Sequence, residues 1–150
     1  MDSKSLMIGD WVYMPNDEGV LTPMQIESFY FDALFADGCE HYAEDCSPIP
    51  LTAEILEKNG FAIEEREGDI TFPYFAFIIE NDEYRVEITW YDSHDVYEPN
   101  TGKYLRSAPE VWNIEILSKC GNYDCGKNKI FVHELQRALR LCGIDKEIVL

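Results

Sequence analysis

The residues that could carry chemistry fall into three groups. The first is His133-Glu134-Leu135-Gln136-Arg137, which opens like a zinc-protease helix. That chemistry needs a second imidazole four residues after the first, so that both reach one metal from one helix face. Position 137 is an arginine, whose charge repels a cation, so His133 reads as an ordinary first-turn residue. The second group is the thiols. Cys120 and Cys125 have a ligand-like spacing, and Cys39, His41 and Cys46 could complete a structural zinc site. Zinc is the weaker reading. No CxxC knuckle is present, the two sets are far apart in the chain, and Cys142 lies among apolar helix positions, where a thiol acts as a small hydrophobe. The third group is Asp92, His94 and Asp95, which follow Trp90 and Tyr91. An imidazole between two carboxylates could serve as acid and base or take a divalent ion. A solvated acidic turn accounts for the same residues. The region Trp90, Asp92, His94 and Asp95 is the candidate surface site. There is no nucleophile elbow, glycine-rich phosphate loop or basic aromatic stripe, so no catalytic residue and no cofactor are assigned.

Several elements must position these groups. Gly9-Asp10 is a turn before Trp11-Val12-Tyr13, and Asn16-Asp17-Glu18-Gly19 is a hairpin signal. Val20 to Phe35 reads as one or two strands, Asp37-Gly38 as a turn, and Cys39 to Pro50 as a polar loop. Thr52 is suited to cap a helix of about two turns, which Asn59-Gly60 ends. Residues 70–79 form an apolar strand that starts after Pro73 or lies at an edge. Asn81-Asp82 is a turn. Residues 84–91 then alternate as a half-buried strand does, with Tyr84, Val86, Ile88 and Trp90 on one side. Residues 92–110 read as a long loop, and Val111 to Leu117 as another strand. From Phe131 to Cys142 an apolar stripe of Val132, Leu135, Ala138, Leu139 and Cys142 predicts a helix ended by Gly143, with Glu134, Gln136, Arg137 and Arg140 on its polar side.

These elements predict one α+β domain over residues 1–150. A small β-barrel-like meander occupies residues 1–47. A short helix and an antiparallel sheet covered by a C-terminal amphipathic helix occupy 48–150.

The charge is lopsided. Of 29 carboxylates and 12 lysines and arginines, 24 and 6 lie in residues 1–110, and 5 and 6 in residues 111–150. The net charge of −17 argues against nucleic acid and anionic membrane surfaces; it could attract another protein, a basic one, and a solvated acidic surface with no partner accounts for the same charge. The sequence leaves the oligomeric state open. The start of the chain lacks a basic segment followed by a long apolar one, and no apolar run approaches the ~20 residues of a membrane helix. The five cysteines therefore read as reduced thiols of a cytoplasmic protein.

Three segments occur in order along the chain: Leu6-Met7-Ile8-Gly9-Asp10-Trp11-Val12-Tyr13, then Pro48-Ile49-Pro50-Leu51-Thr52 with Glu54 to Phe61, then Val132-His133-Glu134-Leu135-Gln136 with Ala138-Leu139. Together they resemble an uncharacterised family of short proteins from gut-associated bacteria, their phages and integrative elements. The resemblance implies a phage or mobile-element setting and no particular activity. The expectation is a non-enzymatic interaction module, in its sharper form an acidic inhibitor of a host nuclease or defence protein. The alternatives are a component of the phage particle, which would place the chain in the virion, and a small enzyme or ligand-binding domain built around Trp90 and His94.

Overall fold

A computed structural model describes residues 6–30, 33–67, 73–98, 100–118, 121–127 and 129–150, and of Pro73 and residues 121–127 the backbone alone. In chain order the elements are β1 (Trp11–Pro15), β2 (Leu21–Gln25), β3 (Ser28–Tyr30), β4 (Ala33–Ala36), β5 (Cys39–Tyr42), β6 (Ser47–Pro48) and α1 (Ala53–Lys58). They continue with β7 (Ala62–Glu67), β8 (Pro73–Glu80), β9 (Tyr84–Tyr91), β10 (His94–Tyr97), β11 (Tyr104–Ala108), β12 (Val111–Ser118), β13 (Gly121–Lys127) and α2 (Val132–Leu141). The fold is α+β, mostly sheet, with two helices among the described residues.

The N-terminal strands form two open three-stranded sheets, β2-β1-β6 and β3-β4-β5, rather than a barrel. Asn16 closes the β1–β2 hairpin, its side-chain oxygen accepting from the Glu18 and Val20 amides. The expected polar loop at 39–50 is partly strand. Asp37 and Gly38, both at positive φ, turn the chain back so that β5 pairs with β4 and His41 lies opposite the buried Leu34. A buried cluster of Val12, Met14, Ile26 and Leu34 joins the two sheets.

The larger sheet has the order β13-β12-β9-β8-β7, with every neighbour antiparallel. Pro73 is the first residue of β8 and pairs only with Glu67, so its missing N–H interrupts no inner ladder. Phe77, Val86, Ile88, Trp112 and Ile114 share one core with Leu56 of α1 and with Val132, Leu135 and Leu139 of α2. Thr52 caps α1 by accepting from the Ile55 amide, and Gly60 follows at φ 70°.

Residues 92–110 are not a loop. They hold the β10–β11 hairpin, pinned by the edge-on contact of Tyr97 with Tyr104 and by Gly102 at its tip. The turn residues marked only the tip, and the aromatic and β-branched residues beside it form the strands. Gln136, expected on the polar side of α2, is buried, as is the first-turn residue His133, because the helix is enclosed by the N-terminal strands as well as by the large sheet.

Candidate functional site: a tryptophan cleft and its carboxylate

Trp90 and Trp112 are register partners on adjacent antiparallel strands, so both indoles leave the same face of the sheet. Their rings stack at 5.7 Å, with Phe75 at 5.6 Å from Trp90 and Phe77 at 6.4 Å from Trp112. Both indole N–H groups donate to one oxygen of Glu110, at 2.9 and 2.8 Å. A carboxylate held by two N–H donors locks the edge of both rings and keeps a negative charge at their rim. The opposite wall comes from Pro50 to Glu54, including the start of α1, and Lys129 and Ile130 complete a cleft of about 480 Å³. Its floor is aromatic and its rim carries Glu54, Glu110 and Lys129, all solvent-exposed, so carboxylates outnumber cations there two to one. Such a surface suits a flat or aliphatic group that ends in a cation.

The structure divides the candidate residues read from sequence. Trp90 faces the cleft. Tyr91 points to the other side of the sheet and stacks on Tyr74 at 4.8 Å, and burial pushes its hydroxyl pKa up. Asp92 accepts from the Ser93 amide through its side chain, and its carbonyl meets His94 Nδ1 at 2.9 Å. Asp95 accepts from the Ser107 hydroxyl at 2.7 Å across the β10–β11 hairpin, and that hydroxyl also meets Tyr104 at 2.9 Å. Asp92 and Asp95 thus hold the hairpin's base. Glu110, Trp112 and Glu54 are the residues that sequence reasoning missed. The local signal for Trp112 was the alternation of residues 111–117, which puts it on one face with Ile114 and Ile116.

Of the thiols, Cys39 is exposed while Cys46 and Cys142 are buried, and burial raises the pKa of both buried thiols. Cys46 donates to the Tyr42 carbonyl, and His41 is buried nearby in sequence on β5. Cys120 and the side chain of Cys125 lie outside the described residues. Among those described, no group of three or more His, Cys, Asp or Glu is placed to hold a metal ion.

The opposite face of the large sheet is charged. Glu87 is buried there and accepts from Arg66 at 2.5 and 3.1 Å and from Arg85 at 3.3 Å. Glu64 pairs with Arg66 at 2.7 Å, and Glu80 with Arg85 at 3.5 Å. The hydrogen bonds to Glu87 hold the Arg66 guanidinium pKa above its usual range, and the hydrogen bond from Arg66 holds the Glu64 carboxyl below its own. A buried carboxylate tolerates this site because two guanidinium groups replace its water.

The segments around residues 9–11, 49–59 and 130–140 meet in the fold. Gln136 accepts from the Trp11 amide at 2.9 Å and donates to the Gly9 carbonyl at 2.8 Å, while Arg140 pairs with the buried Asp10 at 2.6 Å. The Leu51 amide donates to the Ile130 carbonyl, and the Val132 amide to the Ile49 carbonyl. Asn59 binds the backbone of Val149 through both its side-chain oxygen and its nitrogen. These residues act as caps, turns and ties between segments. No helix among the described residues is long and apolar enough to cross a membrane. No protein-family model, curated protein or solved structure matches this chain.

Proposed function

We propose that the chain is a non-enzymatic protein-interaction module, acting in the cytoplasm of a bacterial host in phage or mobile-element biology, and that its partner is a basic protein. The observation that supports this most is the Trp90–Trp112 cleft, where an aromatic floor sits beside the exposed carboxylates of Glu54 and Glu110. A lysine or arginine lays its aliphatic stem on an indole and its charge against a carboxylate, gaining more than either group gives alone. The net charge of −17 extends the same preference over a longer range and speeds encounter with a basic surface. The sharper form is an inhibitor that presents carboxylates to the basic groove of a host nuclease or defence protein. The phage or mobile-element setting rests on the sequence resemblance.

A second reading, a small-ligand-binding domain, is favoured by the same cleft, whose size of about 480 Å³ lies within the range of small-molecule pockets. Affinity capture from host lysate with wild-type bait and a Glu54→Lys bait separates the two. Glu54 is exposed on the helix surface, so the substitution spares the fold. A basic protein held by the wild type and lost from the variant supports the proposal. A small molecule seen by native mass spectrometry, with no protein lost, supports the second reading. A captured set that the substitution leaves unchanged overturns the role of the cleft.

A further inference from the structure

Strand β7 lies at the edge of the five-stranded sheet and, among the described residues, pairs with β8 alone. Five of its six residues are exposed, so its outer row of backbone N–H and C=O groups faces solvent. Its register with β8 sets Ile63 opposite Phe77 and Glu65 opposite Phe75, which places Ile63, Glu65 and Glu67 on one face. Ile63 is 48% exposed, and neither Glu65 nor Glu67 joins an ion pair among the described residues. On the other face Glu64 and Arg66 neutralise one another.

We propose that β7 is a docking edge for a basic, extended segment of a partner protein, which adds as a sixth strand. The backbone of β7 supplies hydrogen bonds without regard to sequence, and its side chains supply the choice. Cross-strand neighbours on one face lie ~5 Å apart, so the added strand needs cations opposite Glu65 and Glu67 and an apolar residue opposite Ile63. Its pattern is therefore two lysines or arginines and one apolar residue at alternate positions. The same charges favour a basic partner over a second copy of this chain. Symmetric antiparallel pairing centred on Glu65 sets the two Glu65 carboxylates directly opposite one another and Ile63 against Glu67. This surface is separate from the tryptophan cleft and goes beyond the function proposed for it.

The test uses the whole chain and the capped seven-residue peptide Thr-Lys-Thr-Lys-Thr-Val-Thr, which in antiparallel pairing sets its lysines opposite Glu67 and Glu65 and its valine opposite Ile63. A control peptide carries proline in place of the two central threonines, keeping the charge but losing strand pairing. The expected result is binding of the first peptide with slowed amide exchange confined to residues 62–67. The doubly substituted Glu65→Lys, Glu67→Lys protein should bind about tenfold more weakly, since two opposite-charge pairs become like-charge pairs. Glu54→Lys should leave the affinity unchanged, which keeps this edge distinct from the cleft. Absence of binding, equal binding of the proline peptide, or protection outside β7 would each overturn the proposal.

Discussion

Replacing Gln136 by leucine tests the least expected feature of the fold. Gln136 is 5% exposed, and its amide spans two backbone groups of the N-terminal segment, the Trp11 N–H and the Gly9 carbonyl. Leucine fills a similar volume and can make neither bond. Two hydrogen bonds are lost at about 1 kcal/mol each, and the Trp11 N–H is left without its acceptor at a further cost of about 1 kcal/mol or more. The expected loss is about 3 kcal/mol, or about 6–12 °C in Tm for a chain of this size. The Gly9 carbonyl has a second donor, Gln25 Nε2 at 3.0 Å, so Gln25→Ala alone should cost less than about 1 kcal/mol. In the double variant Gly9 loses both side-chain donors. The combined loss should exceed the sum of the two by about 1 kcal/mol, a coupling that denaturant titration of the four proteins measures. A Gln136→Leu protein within about 0.5 kcal/mol of the wild type, or strict additivity in the cycle, would refute the reasoning and return Gln136 to the solvated side of α2.

Leu135 is fully buried in the main core, so Leu135→Asp should abolish cooperative folding; a wild-type melting temperature by circular dichroism would mean that the buried face of α2 is misplaced. Among Cys39, Cys46 and Cys142, brief treatment with iodoacetamide should alkylate Cys39 in the native state and the other two only after unfolding, as read by peptide mass mapping, because burial both blocks those thiols and raises their pKa. Glu64 has a lowered folded-state pKa, chiefly through its hydrogen bond from Arg66, so its contribution is present above the ordinary carboxylate pKa and is lost as pH falls through the lower folded value. Stability measured from pH 7 down to pH 3 should therefore fall less steeply at the acid end in Glu64→Gln than in the wild type. Identical slopes would show that Arg66 does not hold Glu64 in solution.

The local signals in the chain were sound where the cause is itself local. Thr52, Asn59 and Gly60 set the two ends of α1 because a cap and a left-handed residue act on their own turn. The alternation of residues 84–91 and 111–117 gave β9 and β12, since a strand with one buried face needs no knowledge of its partner. Gly143, at φ 61°, ends α2 for the same kind of reason. The hairpin within 92–110 and the strand at Ala62–Glu67 were harder to read. In the first, turn residues masked short strands; in the second, four charged residues of six hid a strand that pairs on one side only.

What no local pattern held is the environment of each polar side chain. Trp90 was legible as a candidate, but its partner Glu110 comes twenty residues later, brought close by the pairing of β9 with β12 and the hairpin between them. His94 follows Trp90 closely in sequence, yet the chain leaves the sheet after Tyr91 and carries it into a separate hairpin. Gln136 and Glu87 have the composition of surface residues and are buried all the same, one against β1 and the other between two arginines. Sequence by itself determined both helices and their ends, strands such as β9 and β12, the main turns and the acidic character of the chain, because propensity, periodicity and charge are properties of neighbouring residues. The tertiary structure alone decided which carboxylates are neutralised, which stand at an open edge and which lie beside an indole, because those depend on strand order and on contacts between residues far apart in the chain.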